Sequence, residues 1–270
     1  MLKQLYTTRP GGYALKLITR PGFSRKCARV LDSGYSRVYI KRFIRKNDID
    51  MTEYVCKRWR SFNDFFIRQI RPDARPVDMT PSALISPCDC LMSAYTVTPG
   101  CRFRVKGAEY TLASLLNDEQ LAREYGGGLC IIFRLMPDNY HRYIYPDWGS
   151  KGGNTFIQGK LHTVRPVAQG KYSVYATNSR EYTTLHTRNF GDVVFMEVGA
   201  LMVGRICNHH GAHTFARGEE KGYFEYGGST IIMLLKKGVA RLDREYQHCI
   251  NNGRETEVKL GMRIGTRAHA

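Results

Sequence analysis

The residues with the densest chemistry lie towards the C-terminal end of the sequence. Arg217-Gly218-Glu219-Glu220-Lys221-Gly222-Tyr223-Phe224-Glu225-Tyr226-Gly227-Gly228-Ser229-Thr230 sets a Gly-Gly-Ser-Thr turn directly before an apolar run, Ile231-Ile232-Met233-Leu234-Leu235. Taken alone, Gly-Gly-Ser reads as a tight turn, because glycine adopts the backbone angles that turns require. A serine hydroxyl becomes a nucleophile only when a base takes its proton and a carboxylate orients that base. Any such partners must come from elsewhere in the chain. The eight cysteines contain no Cys-x-x-Cys pair. Cys88-Asp89-Cys90 is a single Cys-x-Cys without a second ligand cluster, so it makes a weak metal motif, and the thiols read as buried.

The elements that must position these residues can be read coarsely. The chain has 270 residues, 43% hydrophobic and 24% charged, which suits a packed core rather than disorder. No apolar run reaches the ~18–20 residues of a membrane-spanning helix. The longest, over 193–206, is interrupted by Glu197 and Arg205. Lys3, Arg9 and Lys16 break every candidate signal-peptide core, so a cytoplasmic chain is expected. Segments 102–105, 129–135, 161–167, 172–176, 182–187, 193–206 and 230–235 are rich in Val, Ile, Tyr, Phe and Thr and are predicted as strands. Short helices are predicted over 61–70, starting at Ser61, and over 111–116. The predicted fold is α+β and predominantly β. It comprises a single β-rich catalytic body over 51–270 and a basic helical arm over 1–50.

The arm carries much of the charge. The net charge is +17, and residues 1–50 hold 12 Lys/Arg against 3 Asp. A localised basic surface seeks a polyanion, either nucleic acid or an anionic lipid face. Pro10-Gly11-Gly12 and Pro21-Gly22 divide the arm into short pieces. Val38, Tyr39, Ile40, Phe43 and Ile44 form an apolar cluster flanked by Lys41, Arg42, Arg45 and Lys46. That composition suits a helix lying in a lipid interface. It suits equally a helix packing its apolar side on the body, and the two readings are compatible.

Ordered motifs along most of the chain resemble the phosphatidylserine decarboxylase family, pyruvoyl-dependent enzymes that cleave themselves. Gly-Ser-Thr after Gly-Glu-Glu-x-Gly-x-Phe is similar to that family's cleavage site. Phe62-Asn63-Asp64-Phe65-Phe66-Ile67-Arg68 with Arg75-Pro76 resembles its FNEFFxR…RP segment, and Ser86-Pro87-Cys88-Asp89 its SP-x-D. Tyr140-His141-Arg142 matches YHR, and Leu161-His162-Thr163-Val164-Arg165-Pro166 sits where the family has L-x-x-V-x-P. Asn178-Ser179-Arg180 stands for Asn-Glu-Arg. Val198-Gly199-Ala200-Leu201-Met202-Val203-Gly204-Arg205-Ile206 and the C-terminal Lys259–Gly265 stretch match two further segments.

The resemblance implies that Ser229 Oγ attacks the carbonyl of Gly228, which has no Cβ to shield it. β-Elimination from the resulting ester would release residues 1–228, the β chain. Residue 229 would become a pyruvoyl group capping 229–270, the α chain. The cofactor would therefore come from Ser229 itself, with neither pyridoxal phosphate nor metal expected. By the same resemblance Asp89 and His141 are the carboxylate and the base, and His141 is the acid that protonates carbon after CO2 leaves phosphatidylserine, giving phosphatidylethanolamine. Arg142 and Arg180 are candidates for holding the substrate phosphate and carboxylate, and Arg180 reads equally well as structural.

One departure matters. Many family members read YHR-x-H-x-P, whereas this chain reads Tyr140-His141-Arg142-Tyr143-Ile144-Tyr145-Pro146. Ile144 transfers no proton. Either His141 does both jobs, or His162 takes one of them as a secondary base, or maturation is slow or lost. Cys90 also replaces the glycine usual after the aspartate.

A diacyl lipid substrate implies an enzyme held at an anionic membrane, peripheral on its cytoplasmic face, where each Lys/Arg contributes roughly 1 kcal/mol. The partners expected are phosphatidylserine, that surface, the chain's own cleavage fragments and, as an open point, a second copy in a homodimer. Nucleic acid is not expected, because the charge comes without a recognisable binding motif. Two alternatives stay open: a pyruvoyl decarboxylase of another seryl lipid or amino acid, and a non-processing membrane-surface relative.

Overall fold

The computed structural model describes residues 4, 6, 8–19, 21–105, 108–164, 168, 173–200, 205–226 and 229–268, without the side chains of residues 9, 12, 17, 21 and 25. Three helices come first: α1 (Arg9–Ile18), α2 (Pro21–Asp32) and α3 (Val38–Asn47). Pro10 and Pro21 lie in first turns, where a missing N–H costs no helical hydrogen bond. The prolines therefore open helices rather than interrupt them. Helix α3 faces two ways. Ile40 and Phe43 pack on Phe62 and Phe65, while Val38 and Tyr39 stay exposed.

The next helix, α4 (Phe62–Phe66), begins where Ser61 Oγ accepts the Asp64 N–H at 3.0 Å. It stops well short of residue 70. Val55 N–H bonds the Gln69 carbonyl and Tyr54 bridges Ile70, which pulls that segment into an extended pairing. Helices α5 (Leu112–Leu116), with Thr111 as its cap, and α6 (Glu119–Glu124) follow.

After these helices strands predominate, in keeping with the predominantly β, α+β fold expected. The first strands are β1 (Ala83–Ile85), β2 (Cys90–Thr96), β3 (Arg102–Val105), β4 (Ala108–Thr111), β5 (Leu129–Leu135) and β6 (Arg142–Ile144). Then come β7 (Gly149–Lys151), β8 (Thr155–Ile157), β9 (Arg180–Thr187), β10 (Gly191–Gly199), β11 (Ile206–Asn208) and β12 (His213–Phe215). The last are β13 (Glu220–Phe224), β14 (Ser229–Leu235), β15 (Ala240–Leu242), β16 (Thr256–Val258) and β17 (Arg263–Arg267). A nine-stranded antiparallel sheet runs β12-β7-β9-β10-β14-β5-β2-β16, with β8 also on β9. Smaller sheets are β1-β17-β15, β11-β13-β6 and β3-β4.

Strand β14 lies inside the large sheet, and all seven of its residues are buried. Ile232 and Leu234 enter one apolar cluster, and Ile231, Met233 and Leu235 enter the other. Side chains alternate across a sheet, so a strand buried on both faces reads as a continuous apolar run.

Three predicted strands differ from the structure. Leu161–Val164 forms no strand: the Asn178 side chain brackets the His162 backbone in place of a ladder, donating to its carbonyl and accepting its N–H. Residues 165–167 lie outside those described. Val174–Thr177 is a short helix, α7, because the Ala176 and Thr177 N–H groups turn back to the Ser173 carbonyl. The strand predicted over 193–206 ends at Gly199, whose carbonyl accepts from Asn178 Nδ2, and β11 starts separately at Ile206.

Candidate active site

Ser229 opens strand β14, paired with Gly199 of β10 on one side and Leu135 of β5 on the other. The preceding Gly228, the other half of the expected scissile bond, lies outside the described residues. Ser229 is fully buried, and its Oγ has no hydrogen-bond partner among the described residues. Burying a hydroxyl without a partner costs about 1–3 kcal/mol, so such a group calls for an explanation.

His141 is reached from Ser229 through the β5 end. The residue after Leu135 is Met136, whose N–H bonds Asn139 Oδ1 at 2.7 Å, while the Asn139 N–H returns to the Met136 carbonyl at 3.0 Å. The Asn139 carbonyl then faces His141 Nδ1 at 2.9 Å. A carbonyl only accepts, so Nδ1 carries the proton and Nε2 of the neutral ring offers its lone pair. That Nε2 is buried and has no partner among the described residues. The ring lies 4.1 Å, centroid to centroid, from Phe66, and the His141 carbonyl accepts the Phe224 N–H of β13. Burial pushes its pKa down to about 3, with Arg68 adding to the effect and the Asn139 bond opposing it.

His162 reaches the Ser229 end of the sheet by another route. Asn178 Nδ2 donates to both the His162 and Gly199 carbonyls at 2.8 Å, and Gly199 is the register partner of Ser229. The His162 ring contacts Tyr6. Burial, then the Lys160 charge, lowers its pKa.

Asp89 is held differently from a carboxylate that orients an imidazole. Arg75 donates to it through Nε and Nη2, and the Leu260 N–H reaches Oδ1 at 2.8 Å. Arg75 also grips Glu53 through both Nη atoms. Among the described residues no hydrogen bond joins Asp89 to His141. Asp89 lines a cavity of about 240 Å3 together with Glu53, Arg75 and Asn139, the residue whose carbonyl meets His141 Nδ1. Ile144 sits in an apolar cluster with Tyr54, Ile85 and Tyr140, and its N–H bonds the Pro87 carbonyl two residues before Asp89. Cys88 and Cys90 are buried free thiols, and burial raises that of Cys88 well above its usual value.

Of the two arginines, Arg180 is buried and donates to the Leu115, Asn178 and Ser114 carbonyls. Arg142 donates to the Ile67 carbonyl and to Glu220, with Tyr223 beneath its guanidinium. The positioning roles of Arg75, Asn139 and Asn178 escape sequence reasoning, since each acts on residues distant in the chain. So does the fully buried Lys221–Glu197 ion pair, where Glu197 reads only as a break in an apolar run.

The β-rich body thus buries both the Ser229 hydroxyl and the neutral His141 imidazole. The profile of the family described as phosphatidylserine decarboxylase matches residues 62–266. The phosphatidylserine decarboxylase proenzyme 2 of Clostridium acetobutylicum is 43% identical over 265 residues, covering 98% of this chain and 91% of that one. The phosphatidylserine decarboxylase proenzymes of Ruminiclostridium cellulolyticum and Clostridium botulinum are 40% and 38% identical. The former alignment covers 98% of this chain and 90% of that protein, the latter 93% and 86%. The chain belongs to the phosphatidylserine decarboxylase family, and with it to the carboxy-lyases.

Proposed function

We propose that the chain is a proenzyme that cuts itself between Gly228 and Ser229 and then decarboxylates phosphatidylserine to phosphatidylethanolamine. The observation that carries this reading is that Ser229 Oγ and His141 Nε2, the two atoms the chemistry needs, are both buried and have no hydrogen-bond partner among the described residues. In the maturation step His141 Nε2 takes the Oγ proton and Oγ bonds to the Gly228 carbonyl carbon. The Gly228–Ser229 C–N bond breaks, and its nitrogen is protonated. Loss of the Ser229 α-proton then breaks Cβ–Oγ and expels residues 1–228 with a new carboxylate. Water replaces the nitrogen as ammonia, leaving a keto cap on 229–270.

The residues present suit that cap. The hydroxyl that must be eliminated makes no hydrogen bond to a described residue that would have to be broken. Once formed, the pyruvoyl group supplies the electron sink for loss of CO2. His141, with no charge at neutral pH and covered by Phe66, takes a proton at Nε2 from the substrate ammonium as that amine adds to the keto carbon, and returns the same proton to the substrate carbon once CO2 has left. Asp89, clamped by Arg75, serves the site through the cavity it lines with Asn139, the residue that orients His141, rather than by a direct bond to the ring. Arg142 is the arginine proposed for the anionic headgroup, and Arg180 for positioning the Ser114–Leu115 turn.

The membrane role belongs to the arm. Among the described residues no helix is long and apolar enough to cross a membrane. The exposed Val38 and Tyr39 on α3, beside Lys41, Arg42, Arg45 and Lys46, support peripheral attachment to the cytoplasmic face. Intact mass of the purified protein tests the core of the proposal. Two fragments, with the shorter blocked by a keto group, are expected. A single chain with full activity would overturn it.

A further inference from the structure

We infer that the β11–β12 loop and the turn before β13 form a binding site for a transition-metal dication of the zinc class, made by His210, His213 and Glu219. The three ligand atoms lie within 4.8 Å of one another. His213 Nε2 is 2.6 Å from Glu219 Oε1, and His210 Nε2 is 4.0 Å from the same oxygen. Around a tetrahedral ion with bonds of about 2.0–2.1 Å, ligand atoms stand roughly 3.3 Å apart. The two separations to Glu219 each need to change by about 0.7 Å, one opening and the other closing. All three side chains are partly exposed, so rotations can supply that adjustment and solvent can fill a fourth position.

The outer shell is already in place. Tyr145 OH contacts His210 Nδ1 at 3.4 Å, which leaves Nε2 as the free nitrogen of that ring. The Ala216 N–H donates to Glu219 Oε2 at 2.9 Å and aims the other oxygen at the imidazoles. The two rings stack at 3.8 Å and 11°. Lys151 Nζ donates to the His210 and Gly211 carbonyls at 3.1 and 2.5 Å, which holds the loop backbone. Two imidazoles with one carboxylate suit zinc, cobalt or nickel over the oxygen-seeking calcium and magnesium.

The site shares no residue with the Ser229 centre. The ion would act as a brace. Glu219 directly precedes β13, whose Phe224 N–H bonds the His141 carbonyl. Clasping the loop to this turn steadies the strand that leads to the cleavage segment.

The test uses the full chain, free of any histidine tag, titrated with Co2+ and Zn2+ alone. One equivalent of Co2+ should give the visible absorption of a low-coordinate site, displaced by Zn2+. His213→Ala should weaken binding by at least about 100-fold, beyond the 10–100-fold typical of losing an outer-shell partner. Glu219→Gln should weaken it too. His186→Ala, at a separate exposed pair with Asp192, should leave binding unchanged. The thermal midpoint of the metal-free His213→Ala chain should match the parent and confirm its fold. Absence of binding, binding that survives both His213→Ala and Glu219→Gln, or a near-ultraviolet thiolate charge-transfer band showing a cysteine site would each overturn the inference.

Discussion

The Phe66 ring lies 4.1 Å from the His141 imidazole, and 5.1 Å from that of Tyr226, two residues before Gly228. This contact joins the arm to the chemistry. Phe43 of α3 packs on Phe62 and Phe65, Phe62 packs on Phe66, and Phe66 covers the histidine. An aromatic wall of this kind excludes water from Nε2 and keeps the ring neutral.

A neutral imidazole has a consequence for pH. The pKa of His141 is about 3 in the fold, against 6.5 for an unperturbed ring. As pH falls the unfolded chain takes the proton first, so the stabilisation is fully present above 6.5 and is lost on the way down towards 3. Between pH 6.5 and 5 this group alone should lower unfolding free energy by about 2 kcal/mol. Urea unfolding of the Ser229→Ala chain at both values, compared with Ser229→Ala/His141→Gln, measures it. Equal pH sensitivity in the two chains would count against a desolvated ring. The rate of self-cleavage should also show no inflection near pH 6.5.

Ser229→Ala should give one uncut chain without activity. Its stability should be unchanged or about 1 kcal/mol higher, because the hydroxyl removed is buried and makes no hydrogen bond to a described residue. Intact mass and a urea curve read both quantities. A marked loss of stability would mean that Oγ has a partner.

The two histidines separate by fragment and product. His141→Ala should slow cleavage by about 100-fold or more, the usual contribution of a positioned base, and abolish product. His162→Ala should still cut. Gel analysis with a decarboxylation assay distinguishes them: a His141→Ala chain that cuts at the normal rate would move the maturation base to His162, which Asn178 ties to the register partner of Ser229.

Arg75 should prove structural and indispensable. Its guanidinium is buried between Asp89 and Glu53, and against the opposing effect of burial those hydrogen bonds raise its pKa. Arg75→Met leaves Asp89 buried with only the Leu260 N–H of its described partners, and removing one member of a buried pair costs about 3–5 kcal/mol. Denaturant unfolding checks this. A loss below 1 kcal/mol would show that Asp89 finds another partner.

Membrane attachment should follow charge on α3. Lys41, Arg42, Arg45 and Lys46 are exposed, and each contributes about 1 kcal/mol at an anionic surface. Replacing all four with Gln should weaken binding to phosphatidylserine vesicles by at least about 100-fold at low salt and flatten its salt dependence. Sedimentation with vesicles measures this, and unchanged binding would place the attachment elsewhere. The full deletion of 1–46 is a poorer test, since it strips Ile40 and Phe43 from the aromatic cluster.

The sequence by itself determined the β-rich body, the basic helical arm and the family, because these depend on residue type and local spacing. The run Ile231–Leu235 reads as a buried strand from its composition, and the caps Ser61 and Thr111 are written in adjacent residues. Only the tertiary structure decided the rest. Asn178 ends β10 and replaces a strand over residues 161–164 through side-chain hydrogen bonds that no periodicity encodes. His141 meets Phe66, Asp89 meets Arg75, and His210 with His213 meets Glu219 because sheet register and loop closure bring distant residues to one place. Desolvation follows the same rule. Whether an imidazole titrates at 6.5 or at 3 depends on what covers it, and the cover comes from another part of the chain.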